Sequence, residues 1–400
     1  MNSDLQLLQP YPFEKLAKLF SSVEPKIAER ISFGIGEPQH PAPNFALEEL
    51  QQRANLYNKY PSTKGPIWLR EAIAHWASQR FALNQLCPDS QVLPVNGTRE
   101  AIFSFVQAAY DKSKRAAKPL VLSPNPFYQI YEGATLLAGG EIKLLPCTAQ
   151  TGMQPDYQAV PDQVWQQTQI LFICSPNNPT GAVLSLEQLQ QLLQLANKHD
   201  FIIASDECYS EIYQNEQQRP VGLLQAAASL GWHDYRHCIV FHSLSKRSNL
   251  PGLRSGFVAG DARIMQAFLQ YRTYHGCAMP LPVAHASQLA WQDENHVQNN
   301  RELYRLKFEQ VLQVLSPVYP CSKPDASFYL WLPTPIDDQA FAQQLLAEYN
   351  LAVLPGSYLG RDVEGFNPGS GYVRLALVAT LDECLAGAER LAQFGRQLTC

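Results

Sequence analysis

The chain has 400 residues, 46% apolar and 17% charged, with a formal net charge of −5. That length exceeds what one core usually organises, so two domains are expected, and the apolar share excludes a disordered chain. The negative balance argues against a nucleic-acid surface, no apolar run reaches membrane-spanning length, and the polar, proline-broken opening MNSDLQLLQPYPFEKL does not read as a signal peptide.

The cysteines (Cys87, Cys147, Cys174, Cys208, Cys238, Cys277, Cys321, Cys384 and Cys400) are scattered without a CxxC pair. That pattern suits free thiols in a reducing cytoplasm better than a disulfide framework or a zinc site.

In chain order, Pro12 and Phe13 open a helical segment to about Lys26, and ISFGIGEP (31–38) reads as a short strand ending in a Gly-Pro turn. Residues 66–81 have apolar positions at helical spacing. QVLPV (91–95) is a strand, TREAIFSFVQAAY (98–110) a helix capped by Thr98, PLVLS (119–123) a strand, and the segment after Pro126 a helix. ILFICS (170–175) and FIIAS (201–205) are buried strands flanking the amphipathic helix 186–200, with CIVFHS (238–243) and RSGFVAG (254–260) completing the set.

This alternation predicts an α/β fold, a large domain with a mainly parallel sheet sandwiched by helices. From about residue 320 the texture changes to alternating strands (SFYLWLP, LAVLPG, YVRLALV) and helices at 337–349 and 380–397, a smaller α+β domain. The expected division is an N-terminal segment 1–45 joining the small domain, a large domain 46–290 and a small domain 291–400.

Ligands of open α/β sheets bind beyond the carboxyl ends of the strands, so the residues following each strand carry the functional information. Asn96-Gly97-Thr98-Arg99 follows 91–95, Asn178 lies in PNNPTG after 170–175, Asp206 and Tyr209 follow 201–205, and Ser243, Ser245 and Lys246 follow the next strand, with Arg254 eight residues on. Gly97, Thr98 and Arg99 open a helix whose N–H groups suit a phosphate, and Ser243, Ser245 and Arg254 add donors. Asp206 can hold a pyridine nitrogen protonated, Asn178 and Tyr209 can donate to a phenolic oxygen, and a desolvated Lys246 can attack an aldehyde. Each residue alone has an ordinary structural explanation; one ligand, pyridoxal 5′-phosphate (PLP), accounts for all of them together.

SPNNPTG (175–181), SDECY (205–209), SLSKRSNLPGLRSG (243–256) and YVRLALV (372–378), in this order over essentially the whole chain, resemble the class I/II aminotransferases, PLP enzymes of fold type I. The resemblance implies that Lys246 is the Schiff-base lysine and that Asp206 partners the pyridine nitrogen. Asn178 and Tyr209 match residues that bond the phenolic oxygen, and Tyr128 an aromatic stacked on the cofactor. Arg374, helped by the backbone of Gly36, matches the clamp on the substrate α-carboxylate. Tyr60, in NKYPSTKG, matches a tyrosine that reaches the neighbouring subunit's phosphate, which implies a homodimer with a shared active site.

The implied reaction is a ping-pong transamination between glutamate/2-oxoglutarate and a 2-oxo acid. LQPYPFEKLAKLF and SFGIGEPQHPAP further resemble the bacterial succinyldiaminopimelate transaminase branch, of lysine and diaminopimelate biosynthesis. The alternatives are an aspartate- or aromatic-type aminotransferase, a PLP-dependent carbon–sulfur lyase or decarboxylase, and a non-enzymatic PLP-binding regulator. The last is disfavoured because the fold is expected to begin within the first few dozen residues, where such regulators carry a helix-turn-helix, and because the net negative charge opposes DNA binding. No residue is assignable to the distal substrate group; Arg99, Lys64, Ser21 and Ser22 are only polar residues near predicted site loops. The histidines lack metal-ligand spacing and the thiols lack a partner base, so no metal is expected.

Overall fold

The computed structural model describes residues 1–84, 86–114 and 118–399, which leaves Cys400 outside the described residues. Its centre is a seven-stranded sheet in the order β2-β8-β7-β6-β5-β3-β4. These strands are β2 (Val92–Val95), β3 (Leu120–Asn125), β4 (Glu141–Pro146), β5 (Thr168–Cys174), β6 (Ile202–Asp206), β7 (Cys238–Ser243) and β8 (Gly256–Gly260). The pairs from β4 through β7 are parallel, and β8 runs antiparallel to both β2 and β7. After β7 the chain forms only a short helix (Leu244–Arg247) and a 3-10 turn (Pro251–Leu253) at the sheet edge before β8 returns.

The unbroken apolar run of β5 has the physical reason expected of it. Ile170 and Phe172 pack into one core with Phe105, Tyr131 and Phe268, while Leu171 and Ile173 pack into another with Trp76, Leu192 and Trp291. Alternate residues of a strand face opposite sides, so both faces must be apolar when helices cover both. Helices Thr98–Ala109, Ile130–Leu137 and Ala262–His275 cover the first face, and Ile67–Arg80, Leu186–His199, Leu223–Ser229 and Leu281–Gln292 the second.

A separate apolar core joins Ile31 and Phe33 to Phe308, Leu330, Phe341, Leu375 and Leu391. Here β1 (Ile31–Ser32) pairs in parallel with β10 (Leu351–Ala352), and β11 (Leu354–Pro355), β12 (Tyr372–Ala376) and β9 (Tyr329–Pro333) form an antiparallel sheet. LAVLPG therefore serves two sheets, and not one strand as expected. The expected helix to Lys26 ends at Phe20, and Pro25, which disfavours helical backbone at Glu24, keeps the chain from resuming it. Helices Asn44–Gln52, Ala262–His275, Leu281–Gln292 and Asn295–Leu315 and the edge strand β4 were not anticipated. Among the described residues no helix is long and apolar enough to cross a membrane.

Candidate active site

The carboxyl ends of β5, β6 and β7 and the amino end of helix Thr98–Ala109 open onto a cavity of about 580 Å³. Of the residues singled out from sequence, Gly36, Thr98, Arg99, Tyr128, Asn178, Asp206, Tyr209, Ser243, Ser245, Lys246, Arg254 and Arg374 all line it.

One end is rich in donors. Gly97 sits at φ +86°, and a Cβ there would lie 2.3 Å from Arg254 Nη2, so only glycine leaves room for that guanidinium. First-turn N–H groups of the helix beginning at Thr98 have no partner within the helix, and the dipole makes that end positive. Ser243 Oγ donates to Ser245 Oγ at 2.9 Å and accepts from the Ser245 N–H at 3.0 Å. Arg254 donates to the Pro251 carbonyl at 2.6 Å and itself holds φ +55°, a region costly for a non-glycine residue. These groups together can receive a phosphate.

At the cavity floor Asp206 is buried, which raises its carboxyl pKa, against the lowering effect of donors from Cys208 and Tyr131. Tyr131 Oη donates to Oδ2 at 2.8 Å and the Cys208 N–H to Oδ1 at 3.2 Å. Two oxygens offer about four acceptor sites, so a further donor can still be accommodated. Lys246 Nζ donates to the Gly36 carbonyl at 2.6 Å. Its pKa is pushed down to about 8, by burial first and then by the nearby positive charges of Arg374 and Arg254.

The facing wall comes from outside the seven-stranded sheet. Arg374, on β12, donates through Nη1 to Asn178 Oδ1 and through Nη2 to the Gly34 carbonyl, both at 2.9 Å. Its guanidinium lies over the Tyr329 ring, 4.3 Å from the centroid, while its buried Nε has no partner among the described residues. Tyr209 and Tyr329 share a hydroxyl–hydroxyl bond of 3.0 Å. A Cβ on Gly36 would fall 2.0 Å from Tyr329 Oη, so the segment can lie this close only as glycine. Tyr128 Oη accepts from Arg99 Nε at 2.7 Å, and the same guanidinium reaches Tyr11 Oη at 3.4 Å.

Two sequence candidates are not on the cavity wall. Gly97 stands just behind it against Arg254, and Tyr60 is 104% exposed. Lys64 pairs with Asp89 at 2.6 Å and Ser21 donates to the Lys18 carbonyl, and neither they nor Ser22 line the cavity. The sequence reading missed Tyr131, Tyr329, Tyr11, Phe13, Glu37 and Cys208. Tyr131 had a usable signal, standing three residues after Tyr128 where the chain turns into a helix. Glu100, His275 and Cys277 come together despite their unpromising spacing, but both Glu100 oxygens are held by Arg272 at 2.9 Å.

Residues 28–391 match the family described as aminotransferase class I and II. A solved aminotransferase from Neisseria meningitidis is 48% identical with a TM-score of 0.94, covering 98% of this chain and 100% of that one. The LL-diaminopimelate aminotransferase of Dehalococcoides mccartyi is 32% identical over 405 residues, 99% of each chain. A probable N-succinyldiaminopimelate aminotransferase from Thermus thermophilus is 25% identical with a TM-score of 0.83, covering 98% of this chain and 100% of that one. The chain belongs to the class I and II aminotransferases, which depend on PLP and pass amino groups between amino acids and 2-oxo acids.

Proposed function

We propose that this cavity is the transamination site and that the chain acts on a diaminopimelate-type substrate, N-succinyl-L-2-amino-6-oxopimelate, with glutamate as amino donor. The observation that carries the site reading is Arg374, a buried guanidinium whose Nε has no partner among the described residues while its other nitrogens are tied to Asn178 and Gly34. A buried donor left unsatisfied is costly, and a substrate α-carboxylate would satisfy it.

PLP fits the donor set beside it. Its phosphate would be held by the first turn at Thr98, by Ser243, Ser245 and Arg254, its pyridine nitrogen by Asp206, and its phenolic oxygen by Asn178 and Tyr209, with Tyr128 against the ring. When bound, PLP supplies an electrophilic carbon and a ring that withdraws electrons from the substrate Cα. Lys246 would hold the cofactor through its amine, and the same amine is the group placed to move the proton at the substrate Cα. A pKa of about 8 leaves part of that amine unprotonated near neutral pH. Asp206 holds a proton on the ring nitrogen, and Arg374 orients the substrate by its carboxylate.

The succinylated substrate is supported by the name of the Thermus relative and by Arg99, a cation on the cavity wall for a distal carboxylate. A second reading, LL-diaminopimelate itself, is favoured by the Dehalococcoides relative and by Glu37, which lines the same cavity and whose carboxylate suits a free ammonium. Tyr60, exposed on the chain's surface, supports a homodimer in which it completes the partner's site.

The test follows glutamate formation from 2-oxoglutarate with purified enzyme and, as donors, N-succinyl-LL-diaminopimelate, LL-diaminopimelate, aspartate and phenylalanine. The highest kcat/KM is expected for the succinylated donor; a preference for any other donor overturns the substrate assignment. Failure of every donor, together with no PLP-dependent absorbance, would overturn the site itself.

A further inference from the structure

A line of polar side chains, buried at Lys307 and Asn300 and half-buried at His40, ends on the backbone of Lys246. Lys307, on helix Asn295–Leu315, is 2% exposed, and its Nζ meets His40 Nε2 at 2.6 Å and the carbonyls of Leu377 and Val378 at 3.4 and 3.3 Å. His40 Nδ1 meets Asn300 Oδ1 at 2.7 Å, and Asn300 Nδ2 donates to the Lys246 carbonyl at 3.3 Å. A backbone carbonyl only accepts, which fixes the orientation of the Asn300 amide; Asn300 Oδ1 then accepts, so His40 carries its hydrogen on Nδ1. His40 Nε2 is thereby free to accept from Lys307, and the line has one direction, Lys307 to His40 to Asn300 to Lys246.

Lys307 has no ion-pair partner within 4.0 Å among the described residues. Glu383 and Cys384 of the C-terminal helix and the ring of Tyr304, 5.2 Å away, are the other groups acting on it. A buried lysine without a counter-ion is poor material for stability alone. What it does hold is His40, the end of a segment anchored twice more, at the Gly34 carbonyl by Arg374 and at the Gly36 carbonyl by Lys246.

We propose that Lys307, His40 and Asn300 form a latch that fixes the Gly34–His40 segment against Lys246 and Arg374, making them positioning residues for the substrate carboxylate. The role given to the carboxylate rests on the function proposed above; the latch itself rests on the hydrogen-bond line.

The experiment compares Lys307→Met and His40→Phe with the wild-type holoenzyme. Met keeps the length and apolar stem of Lys307, and Phe keeps a ring against Tyr304. Hydrogen exchange of the peptide covering residues 33–42 should quicken by roughly tenfold in both variants. KM for the amino donor should rise roughly tenfold with kcat within about twofold, and the double variant should be no worse than either single one. Melting temperature should not fall in Lys307→Met, since it removes an unpaired buried charge. Wild-type exchange over 33–42 in both variants overturns the latch, as do strictly additive effects in the double variant. Quickened exchange with unchanged KM supports the latch and removes this segment from the substrate site. Should Lys307→Met not fold, His40→Phe carries the same measurements.

Discussion

The two walls of the cavity are built by different means. The first is a set of strand ends and helix starts from one sheet: Thr98, Asp206, Ser243, Ser245 and Lys246 each lie within a few residues of a buried strand. The second brings together Tyr11, Gly36, Tyr329 and Arg374, residues from both ends of the chain that meet by packing outside that sheet. The first wall hangs from strands buried on both faces. The second depends on how a segment with two glycines is held, by Arg374 at Gly34, Lys246 at Gly36 and His40 beyond them. In the proposed function, the sheet wall therefore sets the chemistry and the packed wall sets substrate capture.

The sharpest way to break this comparison is to remove the amine of the sheet wall. Lys246→Ala is expected to retain the fold and lose turnover by more than roughly a thousandfold, since attachment point and proton carrier vanish together. Borohydride reduction of wild type followed by peptide mapping should place the pyridoxyl group on Lys246, and a label on another lysine would refute the assignment. Asp206→Asn comes next, with a loss in kcat on the order of a hundredfold or more, because an amide cannot hold the ring nitrogen protonated. Near-normal turnover would mean that another carboxylate serves.

On the packed wall the effect should move to KM. Arg374→Lys keeps the charge but not the planar fork, and KM for the amino donor should rise by roughly tenfold to a hundredfold while bound PLP, read by its absorbance, is unchanged. A loss confined to kcat would erase the distinction between the walls. The smallest effect is expected at Tyr60. Tyr60→Phe should weaken PLP retention by about 1.5–3 kcal/mol, the value of a hydrogen bond to a charged group, measured by cofactor titration. Mixed with Lys246→Ala chains in equal amounts, at a PLP concentration that leaves Tyr60→Phe largely unloaded, the mixed dimers should add about a quarter of wild-type activity to the residual activity of the Tyr60→Phe dimers, because one site in each mixed dimer has both an intact lysine and an intact tyrosine. Activity no higher than that of the diluted Tyr60→Phe protein would place the tyrosine within its own chain.

What the sequence determined by itself was the large sheet and the wall attached to it. Buried strands such as ILFICS are continuous apolar runs, and the polar cluster after each must sit at one sheet edge because parallel strands all end on the same side. The reversal of β8 was outside that logic, since an antiparallel strand buried on both faces has the same composition as a parallel one. Helices Ala262–His275 and Leu281–Gln292 leave little trace in the sequence because mixed apolar and polar residues give little contrast between their faces.

Beyond Arg374 and Gly36, which the motif resemblance already singles out, the tertiary structure decided the second wall. Nothing near Tyr329 in the chain says that its hydroxyl meets Tyr209 and limits residue 36 to glycine, and nothing near Asp206 says that Tyr131 donates to it across 75 positions. The same is true of Lys307 and His40, separated by 267 residues and joined at 2.6 Å. Local sequence encodes periodicity and turns, which act between neighbours. A hydrogen bond between distant side chains is set by how separate cores dock, and that information is spread over the whole chain.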